Sequence, residues 1–417
     1  MGWIFFIIYF LLFCVIIYRS NFLRNSGIDS NILLLLFIIR IGVSFFNSYI
    51  NLEYYPLTDV RAFHREGLIE YHLLFEDPGE YIVNIFRSGY HNYGGFTEST
   101  SSFWNDTRTN IIAKIVSLFN LLSGGNFYLN SLFFNFLVFL ASVLLFRLLR
   151  NTTNYAEWVM IAGLFLVPSL VYYTSGIHRD GFIFIAISVV LFLVHGVIED
   201  KQNYWKKILV IVMGLLFILL LRYFVFAALM LAIIPWIIYK KLQIHRFRIY
   251  LLSYAVAVTF FFVTAFFPDA YNMPLKVAIK QAEFREISRY GASAISTSKL
   301  HPDVASFFLN LPQALNHAFL RPYMTEHANI LYLPLCLEIL CYNLLFILFI
   351  IFPSRPIKRS SLIYSLVFFS LSMCIIVGYT IPILGAITRY RSIFLPFLVI
   401  PILGNIDWQK IGTKLFM

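Results

Sequence analysis

Charge is scarce in this 417-residue chain: Asp, Glu, Lys and Arg make up only 13% of it, against 60% hydrophobic residues. So little polar surface cannot cover a soluble globule, which excludes water as the main solvent. Acidic residues are the scarcer sign, 21 against 32 basic, for a formal net charge of +11. The basic residues punctuate apolar runs and do not gather on a soluble patch, so no nucleic-acid partner is expected. Cysteine is nearly absent. Cys14, Cys336, Cys341 and Cys374 all lie within apolar stretches, without metal-ligand spacing, and read as packing residues. The first apolar run lacks a basic segment before it and a small-residue cleavage site after it, and is expected to be a membrane helix and not a cleaved leader.

Aromatic and aliphatic residues are abundant: 45 Phe and 26 Tyr suit a lipid-facing and headgroup-level surface. Apolar runs able to cross about 30 Å of hydrocarbon occur near residues 3–18, 31–50, 127–146, 157–175, 181–197, 208–221, 224–239, 249–267, 329–352, 361–379 and 392–404. The expected fold is an all-α polytopic membrane protein of about eleven transmembrane helices, a single membrane domain over 1–417. Two large loops, 51–126 and 268–328, are expected to carry amphipathic or re-entrant helices. Alternate short loops hold Arg19, Arg24, Arg147, Arg150, Lys201, Lys206, Lys207, Lys240, Lys241, Arg246, Arg248, Arg355, Lys358, Arg359, Lys410 and Lys414. The positive-inside tendency makes that face cytoplasmic, with the N-terminus outside and the C-terminus inside.

The opposite face holds 15 of the 21 acidic residues and, in its short loops, Arg179, Arg222, Arg389 and Arg391. Arginine there runs against the topological tendency. Either these four bind an anion at the outer surface or they anchor the helices to lipid phosphates. In the first large loop Asp59 follows the membrane exit closely, near Arg61 and His64. It can serve as a base beside a lipid-anchored substrate, or Thr58-Asp59 can simply cap a helix over 59–72 whose Phe63, Gly67, Tyr71 and Leu74 share a face. A second run, 107–125, is too short to span and stops at Gly124-Gly125, which predicts an interfacial or re-entrant helix. Between two spans, Gly176-Ile-His178-Arg179-Asp180-Gly181 places three titratable residues in a tight turn, where Arg179 and Asp180 either neutralise each other or serve a site. The second large loop is basic, with Lys276, Lys280, Arg285, Arg289, Lys299 and Arg321, the composition of a lid over an anionic lipid or of a solvated helical face. Within the apolar runs Arg40 and Glu338 stand at comparable depth, so a structural ion pair is expected.

These residues together resemble the GT-C superfamily of multispanning glycosyltransferases, which use polyprenyl-phosphate-linked sugars. The likeness rests on Asp59 early in the first large loop, the turn Ser175–Asp180, Arg222-Tyr223 at a helix start, and Thr388-Arg389-Tyr390-Arg391 before the last span. It covers nearly the whole chain in layout, through motifs of one or two residues. In many members the acidic loop follows the first helix and bears two acidic residues; here it follows the second and has one clear Asp. The layout is also similar to O-antigen and capsule polysaccharide polymerases. The resemblance implies a bacterial inner-membrane transferase of cell-envelope polysaccharide biosynthesis, its active face extracytoplasmic. Its partners would be a polyprenyl-phosphate-linked sugar or glycan and the membrane lipids. Asp59 would be the catalytic base; Arg222, Tyr223, Arg389, Tyr390 and Arg391 would hold the donor phosphate. Arg61, His64, His178, Arg179, Asp180 and Arg321 would contact the acceptor, and a divalent metal ion is a further candidate, although no strong metal spacing is present. A lipid-glycan flippase is the rival from another class; no repeats and no mid-membrane polar path of the kind transporters use are legible in the sequence.

Overall fold

The computed structural model describes residues 2–55, 58–90, 95–97, 102–199, 202–242, 246–289, 293–326, 332–354 and 360–415. Lys201, Arg355, Lys358 and Arg359 therefore lie outside the described residues. Among the described residues every element is helical, with isolated bridges only. In chain order these are α1 (Gly2–Arg19), α2 (Asn21–Arg24), α3 (Ser30–Glu53), α4 (Asp59–Glu76), α5 (Pro78–Val83), α6 (Phe103–Ser123), α7 (Phe127–Thr152), α8 (Glu157–Phe165), α9 (Pro168–Tyr173) and α10 (Arg179–Glu199). There follow α11 (Tyr204–Leu221), α12 (Tyr223–Leu242), α13 (Arg246–Val263), α14 (Met273–Ser288), α15 (Val304–Phe319), α16 (Leu333–Ile351), α17 (Ser361–Thr380), α18 (Leu384–Ser392), α19 (Pro396–Gly404) and α20 (Trp408–Leu415). Among the described residues nine helices are long and apolar enough to cross a membrane: α1, α3, α7, α10, α11, α12, Phe247–Phe266, α16 and α17. The chain is a multi-pass membrane protein.

Two of the eleven expected spans take another form. The fourth is interrupted at Leu166-Val167, just before Pro168, which lacks an N–H and biases its predecessor away from helix. Its two pieces, end to end at about 1.5 Å per residue, reach only about 22 Å. The eleventh is a bent pair, α18 and α19, turned by 62°.

The chain gathers into two compact units, a subdivision that the even spread of apolar runs does not reveal. The first comprises Met1–Leu148, Leu164–Leu166 and Leu170–Tyr223; the second comprises Leu149–Gly163, Val167–Ser169 and Phe224–Met417. In the first unit α10 packs on α11, and the outer-loop helices α4 and α6 pack on each other. Gly67 makes that second contact close: a Cβ on it would lie 2.5 Å from Val116 Cγ1. Asn120 Nδ2 donates to the Gly67 carbonyl at 2.9 Å, and Lys114 pairs with Glu70 across the same seam. α6 ends, as its sequence predicts, at Gly124 and Gly125 with φ of 59° and 81°. In the second unit α15 lies against α17, and the large-loop segment is tied to the start of α18 by Leu384 N donating to Ser293 O at 2.9 Å.

Arg40 and Glu338, expected as an ion pair, each bond to polar groups within their own unit. In the first unit Arg40 Nη2 donates to the carbonyl and the hydroxyl oxygen of Thr174, both at 2.9 Å. Within the second, Glu338 accepts from the Ser169 N–H at 3.0 Å, the Ser169 hydroxyl at 2.7 Å and the Tyr342 hydroxyl at 2.6 Å. The interruption of the fourth run frees the Ser169 N–H and the end of α9 frees the carbonyls there, and where water is absent such groups must be met by side chains. Asn47 donates likewise to Tyr172 O, and Asn135 to Ser175 O at 2.7 Å.

Candidate functional site

Four side chains of the first unit form one continuous series: carboxylate, imidazole, carboxylate and guanidinium. Asp59 opens α4; its predecessor Thr58 is the N-cap, its hydroxyl accepting from Arg61 N. The capping and the functional readings of this dipeptide are therefore compatible. His178 stands in the turn after α9, Asp180 is the second residue of α10, and Arg222 follows the last residue of α11. His178 Nε2 lies 2.9 Å from Asp59 Oδ2, and its Nδ1 lies 2.8 Å from Asp180 Oδ2. Arg222 Nη2 lies 2.8 Å from Asp180 Oδ1. Exposure falls steeply along this series: the side chains are 55%, 6%, 0% and 7% exposed from Asp59 to Arg222, with Arg222 only marginally above Asp180. One carboxylate thus faces outward, backed by three buried groups.

The turn can approach so closely because residue 176 is glycine. A Cβ there would lie 2.7 Å from Asn47 Oδ1 and 3.2 Å from Val60 Cγ2, so any side chain would lift His178 away from α4. Two contacts compete for His178 Nδ1. The Asp180 N–H points at it from 3.3 Å, which would require a lone pair, whereas the carboxylate at 2.8 Å requires a proton. Only the first has hydrogen-bond geometry, so Nδ1 accepts from the Asp180 N–H, with the Asp180 carboxylate close beside the ring. Nε2 is then the nitrogen that faces Asp59.

Phe63 of α4 is shared by two members of the turn. The His178 ring meets it edge-on at 6.2 Å between centroids, and the Arg179 guanidinium lies over it at 5.6 Å. Arg179 Nη2 also donates to Thr109 Oγ1 at 3.0 Å. Asp180 is paired by Arg222. Sequence reasoning missed Arg108. It is buried, lies over the Phe96 ring at 5.0 Å and donates to Leu220 O and Phe96 O. Burial, and secondarily the like charge of Arg179, pull its pKa down to about 10. An arginine in the otherwise neutral run Thr107-Arg108-Thr109 was the available signal.

The remaining candidates divide by unit. In the first, Arg61 Nη1 donates to Leu52 O at 3.4 Å, and Tyr223 packs on Phe96. His64 stands edge-on to Phe127 at 5.0 Å, and burial lowers its pKa to about 4. In the second, Arg389 lies over the ring of Tyr390, which packs on Phe224. Arg391 is buried and donates to the carbonyls of Ala318 at 2.8 Å and Arg321 at 2.9 Å, so it fastens the end of α15. Arg321 pairs with Glu326 at 3.1 Å. Among the described residues no group of three or more His, Cys, Asp or Glu side chains is arranged to hold a metal ion. Compared with known proteins, the chain matches no family model, no curated protein and no solved structure.

Proposed function

We propose that this chain is a membrane glycosyltransferase that moves a sugar from a polyprenyl-phosphate-linked donor to a hydroxyl acceptor on the extracytoplasmic face of a bacterial inner membrane. The observation that carries the reading is the exposed Asp59 carboxylate held by the buried series His178, Asp180 and Arg222. Asp59 takes the acceptor proton as the hydroxyl oxygen forms its bond to the anomeric carbon. The bond from that carbon to the donor phosphate breaks, and the phosphate leaves with the electron pair. With Nδ1 accepting from the Asp180 N–H, His178 holds its hydrogen on Nε2 and donates it to Asp59, which orients the base. Arg222, given to Asp180, backs this series and is withdrawn from the phosphate-binding set. Within the first unit the phosphate falls to Arg179, held beside His178 over Phe63.

Asp59→Asn is expected to lower transfer by about 10²–10⁴-fold, the range for a positioned base, while binding of the lipid donor is retained. Measurement of sugar incorporation and of donor binding on the same purified protein decides it, and an active Asp59→Asn enzyme would sink the proposal. A polysaccharide polymerase, which needs no carboxylate base, would instead survive Asp59→Asn and fail with Arg389→Ala. The flippase reading is favoured by one observation, the interrupted fourth run and the bent eleventh, since transporters use broken helices at their sites. Lipid-glycan movement across vesicles without any new glycosidic bond would establish it.

A further inference from the structure

The first unit carries a second polar feature, remote in sequence from the Asp59 series and unused by the proposed chemistry. Where α1 ends and α3 begins, a cleft of about 480 Å³ is lined by Tyr18, Arg19, Arg24, Asp29, Ser30 and Asn31. That volume lies within the range of small-molecule sites, about 300–1,000 Å³. Because α1 and α3 both qualify as spans, their adjoining ends place this cleft at the membrane boundary, at the level of lipid headgroups.

The segment between the two spans is folded. Leu23, Ser26 and Ile28 are buried beneath it, α2 is closed by Arg24 N donating to Ser20 O at 3.0 Å, and Ile28 N donates to Ser26 Oγ at 3.2 Å. Phe22 is covered by the Arg147 guanidinium at 4.8 Å. Arg19 and Arg24 therefore project from a fixed base. Among the described residues neither is in an ion pair. The one carboxylate in the cleft, Asp29, turns to its own helix and accepts from Asn31 N at 2.8 Å. Two guanidinium groups thus face a polar cleft beside the start of a 24-residue helix, and both the fork geometry of arginine and the helix dipole select an anion with several oxygens.

We infer that this cleft seats the phosphate of an anionic phospholipid headgroup. The acyl chains of that lipid lie along α1, whose apolar side chains Phe5, Ile8, Leu12 and Val15 are exposed. The site is independent of the proposed glycosyl transfer, and its failure would leave that reading untouched.

Native mass spectrometry of the purified full chain, in detergent with equal phosphatidylglycerol and phosphatidylcholine, tests the assignment. The wild type is expected to retain phosphatidylglycerol preferentially. Arg19→Gln/Arg24→Gln is expected to weaken that retention on the order of 30-fold, from about fivefold per basic residue near a lipid surface. Arg19→Lys/Arg24→Lys should keep most of it, and Lys240→Gln/Lys241→Gln, which removes equal charge elsewhere, should not change it. Circular dichroism on each variant confirms folding. Undiminished retention by the Gln pair overturns the site. Arginine-dependent binding of inorganic phosphate added alone, without preference for phosphatidylglycerol, overturns the lipid source and assigns a soluble phosphate.

Discussion

At the scale of single residues, the Asp180 carboxylate is fully buried between His178 and Arg222. Asp180→Asn would leave the buried Arg222 without the charge that balances it, and removing one partner of such a pair destabilises by about 3–5 kcal/mol. We expect a lower thermal unfolding midpoint for Asp180→Asn, and recovery of part of the loss in Asp180→Leu/Arg222→Leu. An additive double variant would show that the two charges are not coupled. His64 supplies a pH dependence. Its pKa is near 6.5 in an unfolded chain and about 4 in the folded one. Below pH 6.5 the unfolded state therefore binds a proton that the folded state refuses. The stability is complete above about 6.5 and is lost as pH falls toward 4. His317, buried in the second unit, is lowered to about 4 as well, by burial and then by Arg321. His64→Phe should flatten part of the acid limb of a thermal-unfolding series between pH 6.5 and 4, and His64→Phe/His317→Phe more of it. An unchanged limb in both variants would refute the assignment.

At the scale of elements, the pairing of α4 with α6 sets the position of Asp59, because Asp59 is the first residue of α4. Sequence periodicity showed the shared face of Phe63 and Gly67, but which helix would cover it was not legible. The 2.5 Å approach to Val116 explains why that position lacks a side chain. Gly67→Ala is expected to destabilise by about 1–3 kcal/mol through overpacking. Val116→Ala on the same background should restore only part of the loss, as measured by thermal unfolding in detergent, because residue 116 keeps a Cβ that stands 2.7 Å from the new one. A helix interior normally gains from Gly→Ala, so a stabilised Gly67→Ala protein would contradict the close packing. The break before Pro168 belongs to this scale too. Pro168 is visible in the sequence, yet hydropathy alone reads through it, since both halves are apolar. The Ser169 N–H freed after the break is met by Glu338, and the carbonyls of Thr174, Tyr172 and Ser175 at the end of α9 are met by Arg40, Asn47 and Asn135.

At the scale of the whole molecule, sidedness can be checked directly. On a cysteine-free background, Glu76→Cys in the first large loop should react with a membrane-impermeant maleimide in intact cells. Gln409→Cys in α20 should react only after permeabilisation. The reverse pattern would invert the topology and move the Asp59 series to the cytoplasmic face. One regularity already agrees with the alternation of loops: Asp59, His178, Asp180 and Arg222, assigned to one face from three different loops, meet within bonding distance in the first unit.

Hydrophobic run length by itself determined that the chain is a helical membrane protein and located most of its spans, because a backbone in hydrocarbon must satisfy its hydrogen bonds within a helix. Composition and charge likewise singled out Asp59, His178, Asp180 and Arg222, since ionisable groups beside lipid need a partner or a use. Which partner each one takes was decided by the tertiary structure. Arg222 found Asp180 across 42 positions of sequence, Arg40 found a carbonyl, and Arg391 found two, because the nearest unsatisfied group in space, not charge sign or hydropathy depth, fixes the bond a buried ion makes.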